Sequence, residues 1–117
     1  MADLPDINHS LQQEDLFLVF KNQLHKDFES CGLSTDFITQ LPRLFLDLRQ
    51  SIETEIKHIA KTSNSALYNL LYRIDISEVQ IKNYLATNPA LSYECALAEL
   101  MIKRILQKVI FKKRFSS

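Results

Sequence analysis

Few residues in this chain combine the type and the spacing that catalysis or metal binding requires. Glu55 and His58 form a Glu-x-x-His pair, the i, i+3 arrangement that di-iron helical bundles use twice. The pair occurs only once here, and its helical phase turns His58 away from the apolar stripe and towards solvent. Metal sites need several convergent ligands. We therefore predict no metal site and no cofactor.

Nucleophilic catalysis has no better support in the sequence. A GxSxG motif is absent, and a phosphate-binding loop needs several glycines whereas the chain has only Gly32. Cys31 and Cys95 belong to no Cys-x-x-Cys or Cys/His spacing, and each falls where a helix would place a small apolar residue. We predict no catalytic residues, no enzyme activity and two reduced core thiols.

The basic C-terminal end is the strongest candidate for a functional surface. Six basic residues and no acidic residue lie between Lys103 and the end of the chain, interleaved with apolar and aromatic side chains. Such a helix can dock an acidic partner, although cations also suit the C-terminal end of a helix dipole. We predict an interaction site with four positive contacts and two apolar anchors: Lys108, Lys112, Lys113, Arg114, Phe111 and Phe115.

The stretch from Leu70 to Leu85 has the apolar spacing of a helix-turn-helix. Its second helix carries a single base, Lys82, although neutralising phosphates requires several Lys or Arg. A capped helical hairpin that buries its apolar face explains the same spacing. The primary prediction is therefore a protein–protein interaction or structural module that binds a protein partner or a second copy of itself. Nucleic-acid binding, through this hairpin or the basic end, is the alternative.

The composition is typical of a globular domain, with 46% hydrophobic and 24% charged residues in 117. Formal net charge is zero, which argues against a general polyanion binder. Residues 1–60 hold 10 acids and 5 bases, a net of −5, and residues 61–117 hold 9 bases and 4 acids, a net of +5. We expect acidic and basic faces to complement each other within the fold or across a homodimer. No signal peptide or transmembrane run is visible, so we predict a cytoplasmic protein.

Helical periodicity dominates the chain, which predicts an all-α fold. The first clear stripe runs from Gln12 to Cys31, with Gly32 after it as a left-handed terminator. A second stripe runs from Phe37 to Ile59 in one phase across Pro42, which favours one kinked helix or a nearly coaxial pair. Shorter helices are predicted at Ala66–Ile74 and Glu78–Ala86, the latter with a Ser77 capping box.

The last predicted helix opens at Pro89 from an Asn88 cap and is apolar around most of its circumference. Only a narrow sector of this helix looks suited to water: Glu99, Lys103, Gln107 and Arg114. A helix of this kind contacts several neighbours, so we place it at the centre. The prediction is one domain over residues 1–117, a four-helix-bundle-like arrangement of three long helices and a short hairpin, with a loose lead-in at 1–10 and a frayed end at 112–117.

Overall fold

A computed structural model describes residues 4–115 and confirms the all-α fold. Three long helices and a short hairpin are present as predicted, together with one further helix near the N-terminus. In this part of the chain the elements are, in order, α1 (Leu4–Gln12), α2 (Glu14–Ser30), a 3₁₀ turn (Asp36–Gln40), α3 (Phe45–Thr62), α4 (Asn64–Ile74), α5 (Glu78–Thr87) and α6 (Tyr93–Phe115).

Helix α6 occupies the centre of the bundle, as its wide apolar surface predicts. It packs against α2, α3, α4 and α5. Leu97, Met101, Ile102 and Ile105 on α6 are completely buried and belong to one core cluster that includes residues from α1 to α5. The helices around α6 therefore share a single core.

The prediction of a loose lead-in at residues 1–10 is wrong from Leu4 onward. Ile7 and Leu11 lie one turn apart on α1, and both are buried against the core. The Asn8 side chain accepts a hydrogen bond from the backbone N–H of Phe45, 3.1 Å away, and so fixes α1 to the start of α3. Leu4, Ile7 and Leu11 give a nine-residue helix only a short periodic signal, and α1 is held in place by contacts with α2 and α3.

Pro42 divides its segment, with a short 3₁₀ turn before it and regular helix only after it, so the prediction of one continuous kinked helix is wrong. Leu41 has an extended backbone with φ −64° and ψ 133°, as expected for a residue that precedes proline. Leu44 is extended as well, and regular α-helix begins only at Phe45. Ile38, Leu41 and Phe45 nevertheless all reach the core, which explains why the apolar phase continues across the break.

The hairpin of α4 and α5 is defined by its turn chemistry. Asp75 ends α4 with φ 73°, in the left-handed region, and Ile76 donates a 2.9 Å backbone hydrogen bond to the Leu71 carbonyl. Ser77 then forms the predicted capping box with Gln80, with both reciprocal hydrogen bonds present. This sharp turn brings the end of α4 close to α6.

Both ends of α6 differ from the prediction. Asn88 terminates α5 by donating from its side-chain amide to the Tyr84 carbonyl, and α6 begins at Tyr93 with the Ser92 hydroxyl accepting from the Cys95 N–H. The helix continues through Phe115, although fraying was predicted from Lys112, because no Gly or Pro interrupts it and cations suit a helix C-terminus. Residues 116 and 117 lie outside the described chain.

Candidate functional site

A basic groove of about 630 Å³ lies between α2, the end of α4 and the C-terminal half of α6. Helix α6 contributes a row of cations at i, i+4 and i+8, and α2 forms the opposite wall. Four cationic side chains and one carboxylate give the lining a net charge of +3. The residues that line the groove are Gln23, Asp27, Arg73, Arg104, Gln107, Lys108, Phe111 and Lys112.

The three cations that α6 contributes to the groove contact both charged and neutral oxygens. The Arg104 guanidinium lies 2.9 Å from the Asp75 carboxylate, whose side chain is 76% exposed. Lys108 Nζ lies 3.4 Å from the backbone carbonyl of Arg73, and Lys112 Nζ lies 3.5 Å from the Gln23 amide oxygen. Two of these three contacts join a cation to a neutral acceptor, and the lining as a whole keeps its net charge of +3.

Asp27 is a buried carboxylate at the groove wall, with its residue only 1% exposed. Its Oδ1 accepts from Arg73 Nε at 3.2 Å and from Gln23 Nε2 at 3.1 Å. Oδ2 is buried and has no hydrogen-bond partner. Buried carboxylates normally use both oxygens, so this side chain anchors Arg73 while remaining only half satisfied.

The structure brings three of the six predicted contact residues together. Lys108, Phe111 and Lys112 all line the groove, and Phe111 is 64% exposed at its edge. The backbone of Lys113, Arg114 and Phe115 continues α6, but the side chains of these three residues lie outside the described part of the structure. Their predicted contacts stay predictions.

No family model, no curated protein and no solved structure matches this chain. The geometry of the site therefore carries the functional argument.

Sequence reasoning missed the part of the groove that comes from α2 and α4. Asp27 does give a signal, because it is a charged residue three positions after Leu24 on the apolar stripe of α2. A charge on such a stripe indicates a buried partner. Arg73 gives no comparable signal, because it is 46 positions away and reaches Asp27 only through the fold.

A second polar cluster joins α3, α5 and α6 around Glu99. The predicted water-facing position of Glu99 is wrong, since the residue is 8% exposed. Arg49 Nη1 lies 3.1 Å from Glu99 Oε2, and the Tyr84 hydroxyl donates to Glu99 Oε1. Lys103 Nζ, also predicted to face water, donates to the Tyr84 hydroxyl at 2.8 Å and lies 4.6 Å from the ring centroid. The cluster joins three helices and shares no residue with the lining of the groove.

The environment of this second cluster shifts two pKa values. Burial, followed by the hydrogen bond to Glu99, raises the pKa of the Tyr84 phenol well above its ordinary value. Burial also lowers the pKa of the Lys103 ammonium, and the charge of Glu99 partly opposes that shift. The raised pKa means that the Tyr84 phenol keeps its proton and donates it in the hydrogen bond to Glu99.

The hairpin offers little for reading nucleic acid. The outer surface of α5 presents Glu78, Val79, Gln80, Lys82 and Asn83, with one cation and one anion among them. Its inner surface, with Ile81 and Tyr84, is buried. This is the arrangement expected of a hairpin that packs on the bundle, and DNA recognition by α5 stays a prediction.

Neither the two thiols nor the Glu55–His58 pair belongs to a cluster of metal-binding or catalytic side chains in the described residues. Cys31 and Cys95 are unpaired, and burial raises the pKa of both thiols. His58 is exposed, as its helical phase predicts. Among the side chains that the structure describes, no group of three or more His, Cys, Asp or Glu comes together as a metal site requires. In the same range, no helix combines the length and hydropathy needed to cross a membrane.

Proposed function

We propose that this protein is a protein-interaction module that docks an acidic partner protein in the basic groove between α2, α4 and α6. The observation that carries the proposal is the convergence of Arg73, Arg104, Lys108 and Lys112 around one concave surface with Phe111 at its edge. Cations supply long-range attraction and orientation, and an exposed aromatic ring supplies apolar contact area. A cytoplasmic location, in which both thiols stay reduced, is part of the proposal.

Two features favour a groove with a binding role over a simple solvated helix end. Like charges at i, i+4 on a helix destabilise it by about 0.2–0.5 kcal/mol per pair. Arg104, Lys108 and Lys112 form two such pairs, and the exposed Asp75 carboxylate offsets the repulsion in part through its contact with Arg104. An arrangement that costs helix stability and leaves positive charge on a concave surface suits an anionic partner.

The experiment is affinity copurification from native lysate with and without nuclease, using three forms of the chain. The wild type is compared with a groove variant, Lys108→Glu with Phe111→Ser, and with Lys82→Glu, an exposed charge reversal on α5. We expect protein partners that survive nuclease and bind Lys82→Glu normally, but that bind the groove variant at least tenfold less. Circular dichroism melting checks that all three forms are folded.

Two results would overturn the proposal. Partners that bind the groove variant as well as the wild type would show that the groove is not the docking surface. Material that is lost after nuclease treatment would instead favour the second candidate, nucleic-acid binding by the same cations. That candidate has one specific observation in its favour: a basic groove beside an exposed aromatic ring also resembles a surface for a single strand.

A further inference from the structure

We infer that the occupant of the groove is an acidic amphipathic helix whose carboxylates repeat at i, i+4 and i+8. The inference rests on the proposed function and names the class of partner. It starts from the cation row of α6, Arg104, Lys108 and Lys112. With a rise of about 1.5 Å per residue, the row advances about 6 Å per step and spans about 12 Å, roughly two helical turns.

The spacing of the row matches a helix that lies alongside α6. Carboxylates at i, i+4 and i+8 on a partner helix advance by the same step and share one face. Each could therefore meet one cation of the row, with no change in the backbone of either helix. Arg104 would exchange its contact with the exposed Asp75, and Lys108 its contact with the Arg73 carbonyl, for a charge-assisted bond to the partner.

The surroundings of the groove favour a helical backbone over an extended one. An extended peptide that binds by strand addition needs a strand edge for its backbone N–H and C=O groups, and the elements described between residues 4 and 115 are all helical. A helix satisfies its own backbone and needs only side-chain contacts. The walls of the groove are helices α2 and α6, so a further helix would extend the same type of packing.

Phe111 offers an apolar contact beside the cation row, so we expect the partner helix to carry an apolar residue next to its carboxylates. Phe111 is 64% exposed and lies one position before Lys112 and three after Lys108, beside the cation row on the same helix. A partner helix with Leu or Ile next to its acidic row would cover this ring while its carboxylates meet the cations. The combined pattern, an acidic row beside an apolar residue, is that of an amphipathic helix in a groove.

The test uses the full chain and two labelled peptides of identical composition in fluorescence anisotropy. The first peptide is helical, with Glu at i, i+4 and i+8 and Leu beside the row. The second places the same Glu residues at alternate positions, which would share one face only in an extended chain. We expect the first peptide to bind at least tenfold more tightly. Arg104→Glu with Lys108→Glu should remove that preference, and Lys82→Glu should preserve it.

The outcomes separate this inference from the proposed function. Equal binding of the two peptides through the groove would overturn the helical occupant and leave acidic-partner docking intact. Binding of neither peptide would overturn the helical occupant, and the lysate experiment would then judge the docking function separately. Groove-dependent binding of a ten-residue oligouridylate, with no binding of either peptide, would overturn both. A complex of two copies of the chain in sedimentation, lost in the Arg104→Glu, Lys108→Glu variant, would replace the acidic helix with self-association.

Discussion

Glu99 and Asp27 are both buried carboxylates that pair with an arginine, but they differ in how many of their oxygens form hydrogen bonds. Each meets an arginine from another helix at close to 3 Å. Glu99 uses both oxygens, one with Arg49 and one with the Tyr84 hydroxyl. Asp27 uses one oxygen for Arg73 and Gln23 and leaves the other unpaired.

The arginine partners of the two carboxylates differ in how far they are exposed to solvent. The arginine of the Glu99 pair is 26% exposed, whereas the arginine of the Asp27 pair is 50% exposed and lines the groove. A carboxylate with both oxygens bonded and a covered partner mainly joins helices. Under the proposed function, Asp27, with one oxygen bonded and an exposed partner, positions the Arg73 guanidinium for contact with a docked protein. Nearly identical ion pairs thus differ in role because of what covers them.

The largest effect is expected from Glu99→Ala. The substitution removes the acceptor of Tyr84 and the partner of Arg49, whose Nε is already buried without a hydrogen bond. Breaking a buried ion pair by deleting one member costs about 3 kcal/mol at the lower end of the usual range, which suits a pair with one partly exposed arginine. Urea denaturation measures the loss in free energy of unfolding.

Gln107→Ala, an exposed change on the same helix, is the control for Glu99→Ala and should cost under about 0.5 kcal/mol. Similar values for the two variants would mean that the Glu99 cluster does not hold the helices together. Glu99 would then have no larger structural role than Asp27.

The next effect concerns alkaline pH and Tyr84. Burial and the bond to Glu99 raise the folded-state pKa of the phenol above its ordinary value of 10.0, so the folded protein keeps a proton that the unfolded chain releases. The associated stability is present below about pH 10 and is lost as the pH rises above that value. The slope is at most about 1.4 kcal/mol per pH unit.

Urea denaturation at pH 9, 10 and 11 should therefore show a shallower loss of stability for Tyr84→Phe than for the wild type. The lowered pKa of Lys103 acts with the opposite sign, because the folded state loses that proton first and stability then rises with pH. Tyr72→Phe, at an 88% exposed site, is the matched control. Parallel slopes for the wild type and Tyr84→Phe would contradict the assigned environment.

Periodicity predicted the long helices because each of them buries a stripe that is visible within its own residues. On α2, Phe20, Leu24 and Phe28 repeat at four-residue steps and are all completely buried. Gly32, with φ 71°, ends that helix where the sequence placed its terminator. Pro42 shows the limit of such reasoning, because an unchanged apolar phase is compatible with a break whenever the intervening residues still reach the core.

The candidate site was only partly predictable, because its decisive contacts join distant positions. Arg49 and Glu99 are 50 residues apart, and Asp27 and Arg73 are 46 apart. The phase of α6 placed Glu99 in a sector suited to water, and only the position of Tyr84 on a separate helix shows that this sector is covered. Two cations of the row, Lys108 and Lys112, were predicted from α6 alone, whereas Arg104 was not among the predicted contacts and the opposite wall depended on how α2 and α4 pack.

The smallest effect, and the sharpest test of the contrast, is expected from Asp27→Asn. The amide oxygen of the new side chain can still accept from Arg73 and Gln23. The substitution removes the negative charge, but it breaks no hydrogen bond at Oδ2, which has no partner. We expect a loss of about 1 kcal/mol in the free energy of unfolding, against about 2 kcal/mol for the matched change Glu99→Gln, where both oxygens carry hydrogen bonds.

Asp27→Asn also raises the net charge of the groove lining from +3 to +4, since a carboxylate is removed from it. Asp27→Asn should therefore bind the acidic helical peptide more tightly while being slightly less stable, because the side chain limits positive charge at the groove more than it supports the fold. Weaker peptide binding would show instead that the Asp27 charge is needed to hold Arg73 in position, and a stability loss equal to that of Glu99→Gln would show that the two carboxylates have the same role.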